Sequence, residues 1–289
     1  MRPFAYARPT TLEDVHALLA EHGDRARLLA GGTDLLIRLR DGSLRPEFVV
    51  DVKRIAELDD GIRVVGDRLV IGARTTMTAI AGDTRIRHDY TALAEAAAVV
   101  GSVQIRNRAT LAGNLCNASP AADTGPALLA FGASVVVAGP GGERRIPVDD
   151  WFVRSGVTSM RAEELVTAVE LPVGQPAPGS VHLRRTRRRG HDLPSVTLAC
   201  AISADGVTRL AYGSVGPRPV LAEDRSGALA DPGSSEATRD AALDGLLAKA
   251  RPSPTSMRAS PEYRVAMLRV LAVRGLEAAR RRLAEGPAA

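Results

Sequence analysis

Apolar residues recur at helical spacing from the start of the chain. In "TTLEDVHALLAEHG" (residues 10–23), Leu12, Val15, Leu18 and Leu19 fall three and four apart, which predicts an amphipathic helix. Thr11 followed by Asp14 resembles a capping box, and Gly23 stands where a C-terminal glycine belongs. "RARLLAGG" reads as a short strand running into a glycine turn. "TDLLIRLRDG" reads as a short helix opened by Thr33 and closed by Gly42, and "PEFVVDV" as another strand. "IRVVGDRLVIGA" then has two apolar runs joined at Gly66-Asp67, the mark of a hairpin. "TTMTAIAGD" and "YTALAEAAAVVG" predict helices. "PALLAFGASVVVAGPGGERRIPV" predicts a helix and then a hairpin, and "AEELVTAVELP" a strand ending at Pro172. The Pro- and Gly-rich "PVGQPAPGS" (Pro172 to Ser180) is the natural linker. Beyond it, "SVTLACAIS" and "VTRLAYGSVG" alternate like antiparallel strands. A long apolar stripe follows Ser260 as cap and Pro261 at the first helical position, and the last residues, "EGPAA", read as frayed.

Composition narrows the class. A chain of 289 residues can bury a large core in two or three subdomains. Hydrophobic residues at 45% and charged residues at 25% are ordinary for a globular protein, and no run approaches a membrane span. The N-terminus has no basic start followed by an apolar stretch, so the expected location is cytoplasmic. Cys116 and Cys200 are far apart and lack a C-x-x-C partner. This argues against a disulfide framework, a structural zinc or a cysteine-ligated iron–sulfur cluster in this chain. The net charge of +5 comes largely from arginines at "RRTRRRG" (Arg184 to Gly190) and "RRR" (Arg280 to Arg282). No aromatic residue interleaves with them, so they read as a solvated face or subunit contact and not as a nucleic-acid site. His16, His22, His88, His182 and His191 show no metal spacing and read mostly as surface or satisfied core residues.

Two glycine turns could carry chemistry, "LLAGGTDL" (Leu28 to Leu35) and "TLAGN" (Thr110 to Asn114). In such turns successive backbone N–H groups can converge on an anion, and glycine removes the Cβ that would hold a phosphate away. Thr33 and Thr110 add hydroxyls. Asp34 and Asp123 can accept hydrogen bonds from ribose or ribityl hydroxyls. The set describes a site for a diphosphate-bridged cofactor. Either turn alone is more often only a turn, and G-x-G-x-x-G is absent, so the usual dinucleotide fold is not signalled.

Six ordered blocks resemble one family. "LLAGGTDLLIRLRDG", "VGSVQIRNRATLAGNLCNASPAADTGPALLAFGASV", "EELVTAVELP", "LRRTRRRGHDLPSVTLACAI", "YGSVGPRPV" and "SPEYRVAMLRVLAVRGLEAA" resemble the FAD-binding (medium) subunit of the xanthine dehydrogenase and carbon monoxide dehydrogenase family of molybdenum hydroxylases. The resemblance implies an α+β fold: a small N-terminal α/β FAD-binding subdomain (1–57), a larger mixed α/β subdomain (58–174), and a C-terminal flavoprotein domain with an antiparallel sheet and helix bundle (179–285). It implies FAD as cofactor. Leu28, Leu29, Ala30, Gly31, Gly32, Thr33, Asp34 and Leu35 would wrap its pyrophosphate. Thr110, Leu111, Ala112, Gly113 and Asn114 would clamp it from the other side. Asp123 would bind cofactor hydroxyls, Val100 would pack nearby and Val166 would lie against the flavin ring. Arg184, where the family often has lysine, would sit near the flavin's polar edge.

The implied role is electron transfer, from 2Fe-2S clusters on a small subunit to NAD, a quinone or oxygen. A separate molybdopterin-containing large subunit would hydroxylate the substrate, in a dimer of heterotrimers. "VRSGVTSMRAEEL" is looser than the family's glycine-rich approach to the flavin, which leaves the access side and the electron acceptor open. The rivals are a stand-alone FAD oxidoreductase, whose candidate proton donors are only Cys116 and Ser119, a nucleic-acid-binding module, and a cofactor-free structural subunit. The last two leave the glycine turns unexplained.

Overall fold

The computed structural model describes residues 2–174, 177–188, 190 and 192–286. The chain begins with β1 (Ala5–Ala7), α1 (Leu12–His22), β2 (Ala26–Leu29), α2 (Leu35–Arg40) and β3 (Phe48–Asp51). The three strands are parallel, in the order β1-β3-β2. Helix α1 forms where the apolar spacing predicts it. Thr11 Oγ1 accepts from the Asp14 N–H at 3.2 Å, and Gly23 closes the helix at φ +48°. The Thr11 hydroxyl donates to the Asp14 carboxylate at 2.8 Å, so only half of a capping box is made. Helix α2 starts one residue later than expected, with Asp34 as an N-cap that makes no side-chain bond. The first glycine turn therefore lies between the C-terminal end of a parallel strand and a helix, where open α/β sheets bind ligands.

The middle part contains β4 (Ile62–Val65), β5 (Arg68–Gly72), α3 (Met77–Gly82), α4 (Thr84–Asp89), α5 (Thr91–Ala98), α6 (Val103–Arg106) and α7 (Leu111–Asn117). It continues through α8 (Thr124–Ala130), β6 (Ser134–Gly139), β7 (Gly142–Pro147), α9 (Val148–Trp151), β8 (Phe152–Arg154), β9 (Val157–Thr158) and β10 (Leu165–Pro172). Five strands form an antiparallel sheet in the order β4-β5-β10-β6-β7. Strand β10, last of these in sequence, fills the centre. Its buried Val169 and Leu171 join Ile71 and Val135 in the main core.

The C-terminal part contains β11 (Gly179–Arg185), β12 (Val196–Ile202), β13 (Thr208–Gly213), β14 (Val220–Asp224), α10 (Glu236–Leu247) and α11 (Pro261–Glu285). Its strands form an antiparallel meander, β11-β12-β13-β14. Strand β12 is buried on both faces. Leu198, Cys200 and Ile202 face a core closed by α11, while Ala199 and Ala201 face the main core beneath α5 and α8. The alternation is thus large against small, with alanine on the side where helices of the middle part lie close. Ser260 caps α11 by accepting from the Tyr263 N–H, with Pro261 in the first turn.

The arginine clusters are not simply solvated. Arg282 donates to Glu95 Oε1 at 2.6 Å and Ser180 O at 2.5 Å, and Arg280 donates to Leu229 O. Arg184 and Arg282 tie the C-terminal sheet and α11 to the middle part. Within the linker stretch residues 175–176 lie outside the described residues, as do Arg189 and His191 in and beside the first arginine cluster and residues 287–289 of "EGPAA". No helix among the described residues is long and apolar enough to cross a membrane.

Candidate functional site

The two glycine turns meet. A Cβ built on Gly31 would stand 2.0 Å from the carbonyl oxygen of Arg108, inside any allowed contact. Gly32 adopts φ +78°, a left-handed conformation that favours glycine. These glycines therefore serve the loops themselves: one lets two backbones touch and the other turns the chain. The second turn is rigidly held. Thr110 caps α7 by accepting from the Gly113 N–H at 3.1 Å, the Leu111 N–H donates to Thr75 O, and the Met77 N–H donates to Ala109 O at 2.9 Å.

Between the turns lies a cleft of about 460 Å³. Of the residues expected at the site, Leu28, Ala30, Gly31, Gly32, Thr33, Asp34, Leu35, Val100, Thr110, Ala112, Gly113, Asn114, Asp123, Val166 and Arg184 line it. Leu29 and Leu111 do not, and Leu111 is fully buried in the main core. Leu28, Leu58, Ala73 and Val166 give the cleft apolar walls. Val100, Asp123, Arg184, Asp192 and the exposed Leu193 also line it.

The polar end is a connected network. Arg184 Nη1 donates to Asp123 Oδ2 at 2.7 Å and to Val99 O at 3.1 Å, and its Nη2 donates to Asp192 O at 2.8 Å. The Arg184 charge is therefore compensated by Asp123. Asp123 is only 6% exposed, and its Oδ1 makes no hydrogen bond among the described residues, with His182 Nε2 3.3 Å away. His182 Nε2 lies 2.9 Å from Thr197 Oγ1, and its backbone N–H donates to Glu95 Oε2 at 2.8 Å. His182 is a core residue, as the spacing argument allowed, but one that touches the site. Asn114 Oδ1 accepts from Thr124 Oγ1 at 2.6 Å, joining α7 to the start of α8.

The first three fifths of the chain match the family model described as the FAD binding domain in molybdopterin dehydrogenase, over residues 2–174. The chain belongs to the FAD-binding subunits of the xanthine dehydrogenase and carbon monoxide dehydrogenase family. A second model, the CO dehydrogenase flavoprotein C-terminal domain, matches residues 182–279 of this FAD-binding subunit. The xanthine dehydrogenase FAD-binding subunit of Escherichia coli O157:H7 is 32% identical over 276 residues, 92% of each chain. The carbon monoxide dehydrogenase medium chain of Hydrogenophaga pseudoflava is 30% identical over 280 residues, 96% of each chain. A solved structure of carbon monoxide dehydrogenase from the same organism superposes with a TM-score of 0.90 at 30% identity, covering 98% of this chain and 100% of that one.

The residues fit the cofactor of an FAD-binding subunit. Among the described residues the N–H groups of Gly31, Gly32, Thr33, Asp34 and Leu35 find no acceptor, a consecutive row of free donors suited to a diphosphate. The unpartnered Asp123 Oδ1 can accept from a hydroxyl. Loss of water raises the pKa of the Asp34 carboxyl, against the lowering pull of Arg38. Loss of water also pushes the Cys116 thiol up to about 12, so it is too weak an acid to deliver a proton at neutral pH. Arg74, Leu58, Ala73, Asn117 and Leu193 also line the cleft and went unread in the sequence. Asn117 follows the second turn along α7, whereas tertiary pairing of separate segments brings the others there.

Proposed function

We propose that this chain is the FAD-carrying electron-transfer subunit of a molybdenum hydroxylase complex. It takes electrons from 2Fe-2S clusters on a small subunit and passes them to an external acceptor, NAD, a quinone or oxygen. A molybdopterin-containing large subunit hydroxylates the substrate, and the assembly is a dimer of heterotrimers. One observation carries the reading: segments near residues 30, 112, 166 and 184 converge on a single cleft.

When bound, FAD supplies redox chemistry at its flavin ring. The chain's own residues bind and orient it. Gly31 to Leu35 offer their N–H groups to the diphosphate, and Thr110 to Asn114 close the opposite side. Asp123 holds cofactor hydroxyls while the hydrogen bond from Arg184 fixes that carboxylate in place. Val100 and Val166 shield the cofactor from water.

The purified chain is expected to show a flavin spectrum without iron–sulfur absorbance, and to release FAD on denaturation. It should hydroxylate nothing alone. A chain that holds no flavin after incubation with FAD and co-expression with partner subunits defeats this reading.

A further inference from the structure

The lining of the cleft includes a side-chain donor, Arg74 Nε, with nothing to donate to among the described residues. Arg74 follows β5, and its backbone N–H is tied to Asp59 O at 3.0 Å. Its Nη1 donates to Lys53 O at 2.8 Å. The nearest carboxylate, Asp60, is 3.9 Å from Nη2 and 72% exposed, too distant and too wet to satisfy the guanidinium. Arg74 Nε is buried and makes no hydrogen bond among the described residues. Buried polar atoms are nearly always paired, so an orphan at a binding cleft points to an acceptor on the ligand.

The walls beside it state what that ligand part must be. Leu28, Leu58, Ala73 and Val166 form an apolar slot, and Leu58 is 1% exposed and Val166 6%. The Ala73 N–H donates to Thr167 O at 3.0 Å, which fixes Arg74 next to the Val166 wall. A flat, uncharged ring with acceptor nitrogens at its edge suits such a slot. The flavin ring, which the family resemblance sets against Val166, would then lie toward Arg184 on the other side of the cleft.

Resting on the FAD reading above, we propose that Arg74 is a specificity-determining residue for the adenosine half of the cofactor. Its guanidinium donates to the purine edge or ribose, and so makes the chain prefer FAD to FMN. FMN carries the same ring and a phosphate but leaves this slot empty.

The test is a fluorescence titration of the full apo chain with FAD and separately with FMN, for wild type, Arg74→Met and Arg74→Lys. Melting temperatures are matched first, and Arg74→Gln replaces Arg74→Met if the latter does not melt cooperatively. The expected result is a tenfold or greater loss of FAD affinity in Arg74→Met, an FMN affinity within twofold of wild type, and partial recovery in Arg74→Lys. Unchanged FAD affinity, or an equal loss for both flavins, overturns the assignment. A wild type that binds neither flavin overturns the flavoprotein reading, and this proposal with it.

Discussion

Gly31 shows why a residue can be conspicuous in a sequence for a reason the sequence does not reveal. The glycine turn was legible, and so was its place between a strand and a helix. Its contact with the Arg108 carbonyl was not, because nothing in the local pattern says which distant backbone will lie against it. Gly31→Ala is therefore expected to force the two turns apart, costing about 2 kcal/mol by overpacking and lowering flavin retention. Gly82→Ala, with nothing within 4 Å of the new methyl, should leave thermal stability unchanged or slightly raised. An equal loss in both variants would refute the contact. Arg184 and Asp123 were each read as cofactor residues, yet their mutual ion pair was invisible, since 61 residues separate them. Arg184→Met leaves Asp123 buried without its partner and should cost about 3 kcal/mol in a urea melt. Adding Asp123→Asn should restore most of that loss, and a double variant no better than the single one would show that the pair is not the cause.

At the level of elements, the helix caps and strands were legible because capping and periodicity are local. Order within the sheets was not, and β10 illustrates the gap. Its apolar run reads as a strand, but its central place between β5 and β6 depends on partners far away in sequence. The start of β10 is pinned by Glu164, which accepts from Arg144 Nε at 2.6 Å and Nη2 at 2.8 Å and from the Arg161 N–H at 2.8 Å. The hydrogen bond from Arg144 and the neighbouring charges hold the Glu164 pKa below its ordinary 4.5. A depressed carboxyl stabilises the fold above the unfolded value and loses that contribution as pH falls through the folded one. The melting temperature should thus drop as the solution is taken from neutral to below pH 4.5, and Glu164→Gln should flatten that slope. An identical acid slope in the variant would remove Glu164 from the account. Because Leu165 and Val166 follow directly, the same ion pair positions one wall of the cleft.

Across the whole molecule, the C-terminal part reaches the cleft through a clasp. Buried Arg264 on α11 donates to Ser214 O, Ser256 Oγ and Ala259 O. Ser214 sits at φ +64°, its N–H donates to Pro120 O at 2.7 Å, and its Oγ donates to Pro194 O at 2.9 Å. Pro120 and Pro194 adjoin the cleft residues Ser119, Ala121 and Leu193. Arg264→Met should weaken FAD binding severalfold without touching the cleft, and unchanged affinity in a folded variant would show that the clasp does not reach the site. The Arg184–Asp123 pair carries a different consequence, one of timing. The two glycine turns and their supporting helices leave the ribosome well before β11 does, and domains fold as units in the order of synthesis. The charged end of the cleft cannot close until β11 has emerged and Arg184 has found Asp123. A nascent chain stalled before residue 184 would hold a half-built socket, so firm capture of the cofactor becomes a late event in the making of the protein.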